Sequence, residues 1–529
     1  MRFHVGVFPF LQLMFAAILV VIGCNNRSSN PNKNITMDSF SDLKTQQFVL
    51  DIGKIKSEIL KQCRSDRDSS GADYRSRQYY QNNGHLLWIS MKGIHSSADT
   101  LISFLEHIGD IGFTKKSFYV EQLKEDILTF RNLDFGNDSV KNVSGKPINE
   151  IAARIEYRLT KAYLRYAIGQ SFGYVNPIYV LNRIDPIYAD TTKTKITGYR
   201  RLYDIDILRP TDEFINRALH IIKTDSLGSF LRDCQPDSPL YLQLKKRLAE
   251  PGISAYLKQL IICNMEYSRW RERNPLDTNG KYVFVNLPAF HLYACNGEKN
   301  IVDMRIGCGA QKTKTPLLTS KIERMDVNPV WNIPVSIIKN EVAHHAGDRD
   351  YFERNNYDII NRETGESVEP DEISVSALRS GKYRVVQKGG EGNSLGRIIF
   401  RFANNFSVFL HDTSSKGVFS RTFRGVSHGC VRIQKPFEFA VFLMDEEDEW
   451  KQDKLRISMG LEPKTERGKA YIVDDEKDRN LVRSVSVKNV PLKIGYYTLY
   501  PDSTGILKEY FDIYGYDKII LSNIKQFQK

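Results

Sequence analysis

The 529-residue chain is poor in cysteine, with seven in all, and none stands in a CxxC pair or a Cys/His cluster of zinc spacing. That argues against a disulfide scaffold and excludes a zinc ribbon, and no metal site or other cofactor is expected. Beyond Cys24 the six are Cys63, Cys234, Cys263, Cys295, Cys308 and Cys430. Cys295 and Cys308 flank Asn296-Gly297, but a turn centred near Gly297 and Glu298 would set Cys308 opposite Leu287 instead. His344 and His345, adjacent in sequence, would point different ways. After the first two dozen residues no apolar run is long enough to cross a membrane. No period of 20–50 residues recurs, which excludes a solenoid. The basic excess is modest, 75 Lys and Arg against 63 Asp and Glu, for a net charge of +12. Without an aromatic-interleaved basic motif it carries no nucleic-acid signature. A solvated, mildly basic surface accounts for it.

What is present begins at the amino terminus. Arg2 and His4 precede an apolar segment from Val5 to Ile22, which closes with Gly23-Cys24. This is the anatomy of a secretory signal. Cys24 directly after Gly23 resembles the bacterial lipoprotein signal, in which lipid is attached to that cysteine and cleavage precedes it. An uncleaved anchor of about eighteen apolar residues is the alternative. Either places the remainder outside the cytoplasm, with Asn25 to Lys33 as a polar tether.

At this length one core is too few, and two or three domains are expected. Before residue 275 the patterns are mainly helical. Ser96 or Ser97 can cap a segment whose Leu101, Phe104, Leu105 and Ile108 share a face. Ile151, Ile155, Leu159, Ala162 and Tyr166 repeat that spacing, as do Leu257, Leu260, Ile261 and Met265. From Lys281 the pattern turns to strands. Tyr282 to Ala294 and Ile301 to Cys308 flank Asn296-Gly297 as a hairpin. Tyr383 to Gln387, Arg397 to Phe402, Phe406 to Leu410 and Leu492 to Leu499 are further strand candidates. Lys339 to Ser380 is charged, helix-like in part and poor in strand signals, as a segment inserted into a β-core would be. Pro436 can open a helix through Phe439 and Phe442 toward the acidic run Asp445 to Glu449.

Chemistry concentrates in Ser427-His428-Gly429-Cys430-Val431-Arg432 and in Leu410-His411-Asp412-Thr413 upstream of it. A thiol after Gly429 and an imidazole nineteen residues earlier are the minimum of a cysteine acyl-transfer site. A lone cysteine is usually a buried small hydrophobe and a lone histidine usually structural; the joint pattern is what points to catalysis. Gly429 permits close backbone approach. His428 could meet substrate or brace the turn, and Arg432 could bind a carboxylate, support a thiolate or form a salt bridge. Lys416, Arg421 and Arg424 read as solvated loop charges, and Trp331 as either cleft lining or core. A papain-like endopeptidase places its cysteine before its histidine, the reverse of the order here.

These residues resemble the catalytic signature of the L,D-transpeptidases, the YkuD-like enzymes that cross-link peptidoglycan. Val285-Asn286-Leu287-Pro288-Ala289-Phe290, Thr315-Pro316, Asn328 to Pro334, Gln387 with Leu395-Gly396-Arg397, and Phe511 to Gly515 are similar to segments of its large multidomain branch. Ala162 to Tyr166 is similar to that branch's helical scaffold. Members often carry a peptidoglycan-binding module before the catalytic domain, but residues 225–275 are too short for one and lack its repeat-like glycine pattern.

The resemblance implies an α+β chain. A signal (1–23) would precede a tether and leading segment (24–84) and a helical scaffold (85–275). A mainly β catalytic domain (281–460) with a capping insertion (339–380) would follow, completed by an extension (461–529). It implies Cys430 as nucleophile and His411 as base, oriented by the carbonyl of Asp412, with backbone N–H groups around His428 and Gly429 as the oxyanion donors. Arg432 and Trp331 would contact substrate. A tetrapeptide stem would lose D-alanine and pass from a Cys430 thioester to a second stem, giving a 3→3 cross-link. Water or a protein lysine as acceptor are the alternatives, as is a non-catalytic wall-binding lipoprotein. The implied setting is the periplasm of a Gram-negative bacterium, membrane-anchored through lipid on Cys24, with peptidoglycan stems and other wall synthases as partners.

Overall fold

The computed structural model describes residues 50–90, 93–132, 148–189, 192–444, 448–474 and 476–529. The leader, Cys24, the polar tether and residues 445–447 of the acidic run lie outside the described residues. The chain mixes helix and sheet and divides into two compact units. One takes residues up to 174, 210–237 and 524–529; the other takes 175–209 and 238–523.

The first unit is helical. Helices α1 (Ile52–Ser65), α2 (Gly71–Gln81), α3 (Ser97–Glu106) and α4 (Val120–Asn132) pack around α5 (Ile148–Phe172). The stripe read from Ile151 to Tyr166 is one face of a helix buried on nearly all of them, since Glu156, Thr160, Lys161 and Arg165 are buried too. Polar groups survive there because each is paired. Glu156 accepts the N–H groups of Leu87, Trp88 and Ile89 and the Tyr80 hydroxyl. Lys161 and Arg165 meet Asp66, Asp68 and Asp73. Ser96 stands at the cap of α3 without a capping hydrogen bond. The reason is local: the N–H groups that a capping side chain would serve are taken by backbone, Ala98 by His95 O and Asp99 by Ser96 O, both at 3.0 Å.

The second unit is built on a closed barrel. Helix α6 (Ala255–Arg269) precedes strands β1 (Lys281–Asn286), β2 (His291–Asn296), β3 (Lys299–Gly309) and β4 (Leu317–Val327). Four strands then form a separate small sheet: β5 (Trp331–Asn332), β6 (Tyr357–Asn361), β7 (Ser367–Val368) and β8 (Tyr383–Gln387). The barrel resumes with β9 (Ile398–Phe402), β10 (Leu410–His411), β11 (Gly425–Ser427), β12 (Val431–Ile433) and β13 (Ser484–Gly495). Its neighbours run β9-β10-β12-β3-β2-β1-β13-β4, and β4 pairs with β9 again. Closure removes the free edges of the ring. Val283, Val285, Leu292, Ala294, Ile306, Leu492 and Ile494 alternate inward along their strands and are fully buried. Helix α7 (Pro436–Met444) packs on β3 and β13, with Phe439 edge-on to Phe400, and α8 (Glu449–Ser458) follows.

Three strand expectations change. Tyr282 to Ala294 is two strands, folded back at Leu287–Phe290, where Pro288 lacks an N–H and Phe290 adopts φ +50°. Of Phe406 to Leu410 only Leu410 is strand. Asn404 Oδ1 accepts the N–H groups of Phe406 and Val408, and Ser407 turns to φ +54°, so the backbone bonds locally rather than to a ladder. The charged segment 339–380 carries two strands as well as helices. Ile338, Val342, Phe352, Ile359 and Leu378 give it and its flanks a core of their own with Val385. Register puts Cys295 opposite Asn300, and Cys308 receives the Tyr514 hydroxyl instead.

Candidate active site

Strand β10 lies between β9, antiparallel, and β12, parallel, with Leu410 paired to Val431 and His411 to Arg432. Cys430 immediately precedes β12, and the N–H of Val431 reaches Phe409 O at 3.1 Å. The parallel register therefore brings the two signature segments side by side. His411 is buried, and its Nδ1 bonds to the carbonyl of Asp412. A carbonyl only accepts, so Nδ1 carries the proton and Nε2 keeps its lone pair. Asp412 is itself held, accepting the Arg397 N–H at 2.8 Å on Oδ2 and Lys416 Nζ on Oδ1.

The loop before Cys430 is braced from below by residues that sequence reasoning left without a role. Thr313 Oγ1 donates to Ser427 O at 2.7 Å and Thr315 Oγ1 to Gly429 O at 2.8 Å. Thr315 is fixed in turn by the Gly309 N–H, and its own N–H reaches Tyr514 Oη at 3.0 Å. Gly429 sits at φ +123°, a region that favours glycine. Its N–H is taken by Ser427 Oγ at 3.1 Å, while that hydroxyl donates to Cys430 O. Among the described residues the N–H groups of His428 and Cys430 meet no acceptor.

Cys430 is half-buried and its thiol points at Ser407 O, 3.9 Å away. No hydrogen bond joins it to His411 among the described residues; they are neighbours through strand pairing. Burial pushes the thiol up to about 11, against the pull of the Phe409 backbone and Arg432. Burial, then the Arg432 charge, push His411 down to about 4, outweighing the Asp412 and Leu395 carbonyls. The resting site is thus a neutral thiol beside a neutral imidazole. Arg432 is half-buried, its Nε has no partner, and burial lowers it as well.

His428 is half-exposed and its Nε2 meets Glu341 Oε1 at 2.7 Å. Glu341 belongs to the segment between β5 and β8, so that insertion reaches the loop carrying the thiol. Trp331 lies in β5 opposite Gln387 and packs against the insertion's core. Arg424 is no solvated charge: it is buried, donating to the carbonyls of Ile306, Arg421 and Phe290. No run of threonines in a sequence announces a brace; only the spacing Thr313-Lys314-Thr315 before Pro316 hinted at a structured turn.

Residues 280–457 match the family model for the L,D-transpeptidase catalytic domain (YkuD), and residues 75–248 match a scaffold domain. A Haemophilus influenzae protein with the provisional name L,D-transpeptidase is 27% identical over 318 residues, 59% of this chain. The match spans 60% of that relative's length. Among solved structures, an L,D-transpeptidase from Mycobacterium smegmatis is similar at 12% identity over 41% of this chain and 58% of that one. Its TM-score of 0.20 is too low to bear on the fold. The chain thus carries an L,D-transpeptidase (YkuD) catalytic domain over residues 280–457, following a scaffold domain over residues 75–248.

Proposed function

We propose that the protein is a peptidoglycan L,D-transpeptidase that forms 3→3 cross-links through a thioester on Cys430. The observation that carries the reading is the parallel pairing of β10 with β12, with the Asp412 carbonyl fixing His411 in the tautomer a base requires. Cys430 Sγ attacks the carbonyl between the diamino acid and the terminal D-alanine of a donor stem, and His411 Nε2 takes the thiol proton as the C–S bond forms. With a neutral pair at rest, proton transfer accompanies attack rather than preceding it. The N–H groups of His428 and Cys430 are the donors left for the oxyanion, since that of Gly429 is engaged. His411 then returns the proton to the amine of D-alanine as the C–N bond breaks. The side-chain amine of a second stem attacks the thioester, releases the thiol and completes the link. One amide replaces another, so no nucleotide is consumed.

Arg432, charged and short of a partner at Nε, suits a stem carboxylate. The insertion 339–380, between β5 and β8, is the segment we assign to cover substrate, supported by the Glu341–His428 contact. Trp331, inside its packing, would act by shaping that cover. Lipid on Cys24 would hold the enzyme at a membrane facing the periplasm, within reach of wall stems and other synthases.

Mass spectrometry of disaccharide-tetrapeptide incubated with residues 25–529, beside Cys430→Ala, tests the whole reading. Dimers joined between two diamino acids, absent with the variant, are expected. Tripeptide alone would move the assignment to an L,D-carboxypeptidase. No product from folded protein on several stem chemistries would favour a protein acceptor or a binding role.

A further inference from the structure

A cleft of about 790 Å³ opens where the end of β4, the start of β9 and the end of α8 meet, apart from the thiol loop. Its lining includes Asn328, Arg397, Arg479 and Arg483, with Glu462 as the single acidic member. Among the described lining residues three guanidiniums face one carboxylate, which would repel a cation. Arg397 and Arg483 lack a close anion there. The carboxylate of Glu391 stands 3.8 Å from Arg397 on a side chain that is 95% exposed, beyond hydrogen-bond reach. Arg483 is exposed and pairs with no carboxylate among the described residues. Arg479 Nη2 is aimed by two carbonyls, Ile472 O at 2.8 Å and Asp474 O at 3.3 Å.

The walls keep Arg397 accessible. Gly390 and Gly460 flank its guanidinium at φ +110° and +69°. A Cβ on either would stand 3.6 Å from Nη1 or 3.4 Å from Nη2, so any larger side chain would cover the fork. The carboxyl end of α8 faces the same space and would ordinarily disfavour an anion. Its last carbonyls are already taken: Leu455 O, Arg456 O and Ile457 O by the N–H groups of Met459, Leu461 and Gly460, and Ser458 O by Asn328 Nδ2. Asn328 Nδ2 also reaches Asn480 Oδ1 at 2.8 Å, fastening one wall to the other.

We propose that this cleft is an oxyanion-binding site, taking the carboxylate or phosphate of an extended ligand through Arg397 and Arg483. A guanidinium fork matches either group with two parallel N–H···O bonds, and the volume admits a ligand much larger than the anion itself. The inference does not rest on the transpeptidase reading. It gives a role to Arg397, whose backbone N–H already supports Asp412.

The test is calorimetric titration of the full chain with two probes: inorganic phosphate, and trialanine with a free C-terminal carboxylate beside its C-terminal amide. Saturable binding that weakens with added salt is expected, lowered by about tenfold in Arg483→Gln and in Arg397→Gln, the cost of one charge-assisted contact. Arg432→Gln, at the thiol site, should leave that binding unchanged. Trialanine binding with the amide inert names a carboxylate source; phosphate binding alone names a phosphate source; both support the site. Arg483 is exposed, so its variant stays folded even if Arg397→Gln does not. Absence of saturable binding by both probes into the millimolar range overturns the proposal. So does unchanged affinity in folded Arg483→Gln, or loss confined to Arg432→Gln.

Discussion

His411 and Cys430 are each pushed toward their neutral forms, and two measurements follow at the scale of the residue. If the thiol stays protonated up to about 11, its alkylation by iodoacetamide should climb steadily with pH across the neutral range. A plateau between pH 5 and 8 would instead reveal a thiolate–imidazolium pair and sink the concerted mechanism. His411 also leaves a mark on stability. Its folded value, near 4, lies below the ordinary histidine value of 6.5, so the unfolded chain binds the proton first as pH falls. Stability should therefore be lost between pH 6.5 and about 4, by up to about 3 kcal/mol, and be intact above 6.5. Denaturant titrations of wild type and His411→Gln should differ in that slope; parallel curves would mean that the ring is already charged. The two residue types and their order were legible in the sequence. Their protonation was not, because it depends on burial and on Arg432 arriving from the next strand.

At the scale of the element, the loop before Cys430 depends on a neighbour rather than on itself. Thr315→Val keeps the shape but removes the donor to Gly429 O and the acceptor for the Gly309 N–H. We expect a loss of about 1–3 kcal/mol and a fall in kcat larger than any rise in KM. An equal change in both would place Thr315 in substrate binding instead. In the scaffold, Glu156→Gln would turn an amide N–H₂ toward donors that now converge on a carboxyl group. A cost of about 2–4 kcal/mol by thermal or chemical unfolding is expected, and a silent variant would contradict the pairing. Helical spacing from Ile151 to Tyr166 announced the element but not that it is buried on its polar side too. Periodicity records only apolar residues, and Glu156, Lys161 and Arg165 are buried because partners far away in sequence meet them.

For the whole molecule, the catalytic unit cannot be cut where the family match stops. The match ends at 457, yet β13 (Ser484–Gly495) pairs with both β1 and β4 within the ring. A fragment of residues 280–457 would leave two barrel strands without their shared partner. It should show no cooperative unfolding, whereas the full chain should; near-ultraviolet dichroism through a denaturant series distinguishes them. A cooperative transition in the fragment would mean that the barrel closes without β13.

By itself the sequence marked a candidate cysteine acyl-transfer site, because imidazole, glycine and thiol in that order are local facts. It also determined the change from helical to strand patterns near residue 280, since periodicity is local as well. Only the tertiary structure decided that the strands close into a ring and that threonines 313 and 315 hold the loop. The same holds for Glu341 on His428 and for the arginine-lined cleft. Each joins residues distant along the chain, and no local pattern encodes which distant partner will satisfy a hydrogen bond or leave a charge waiting for one.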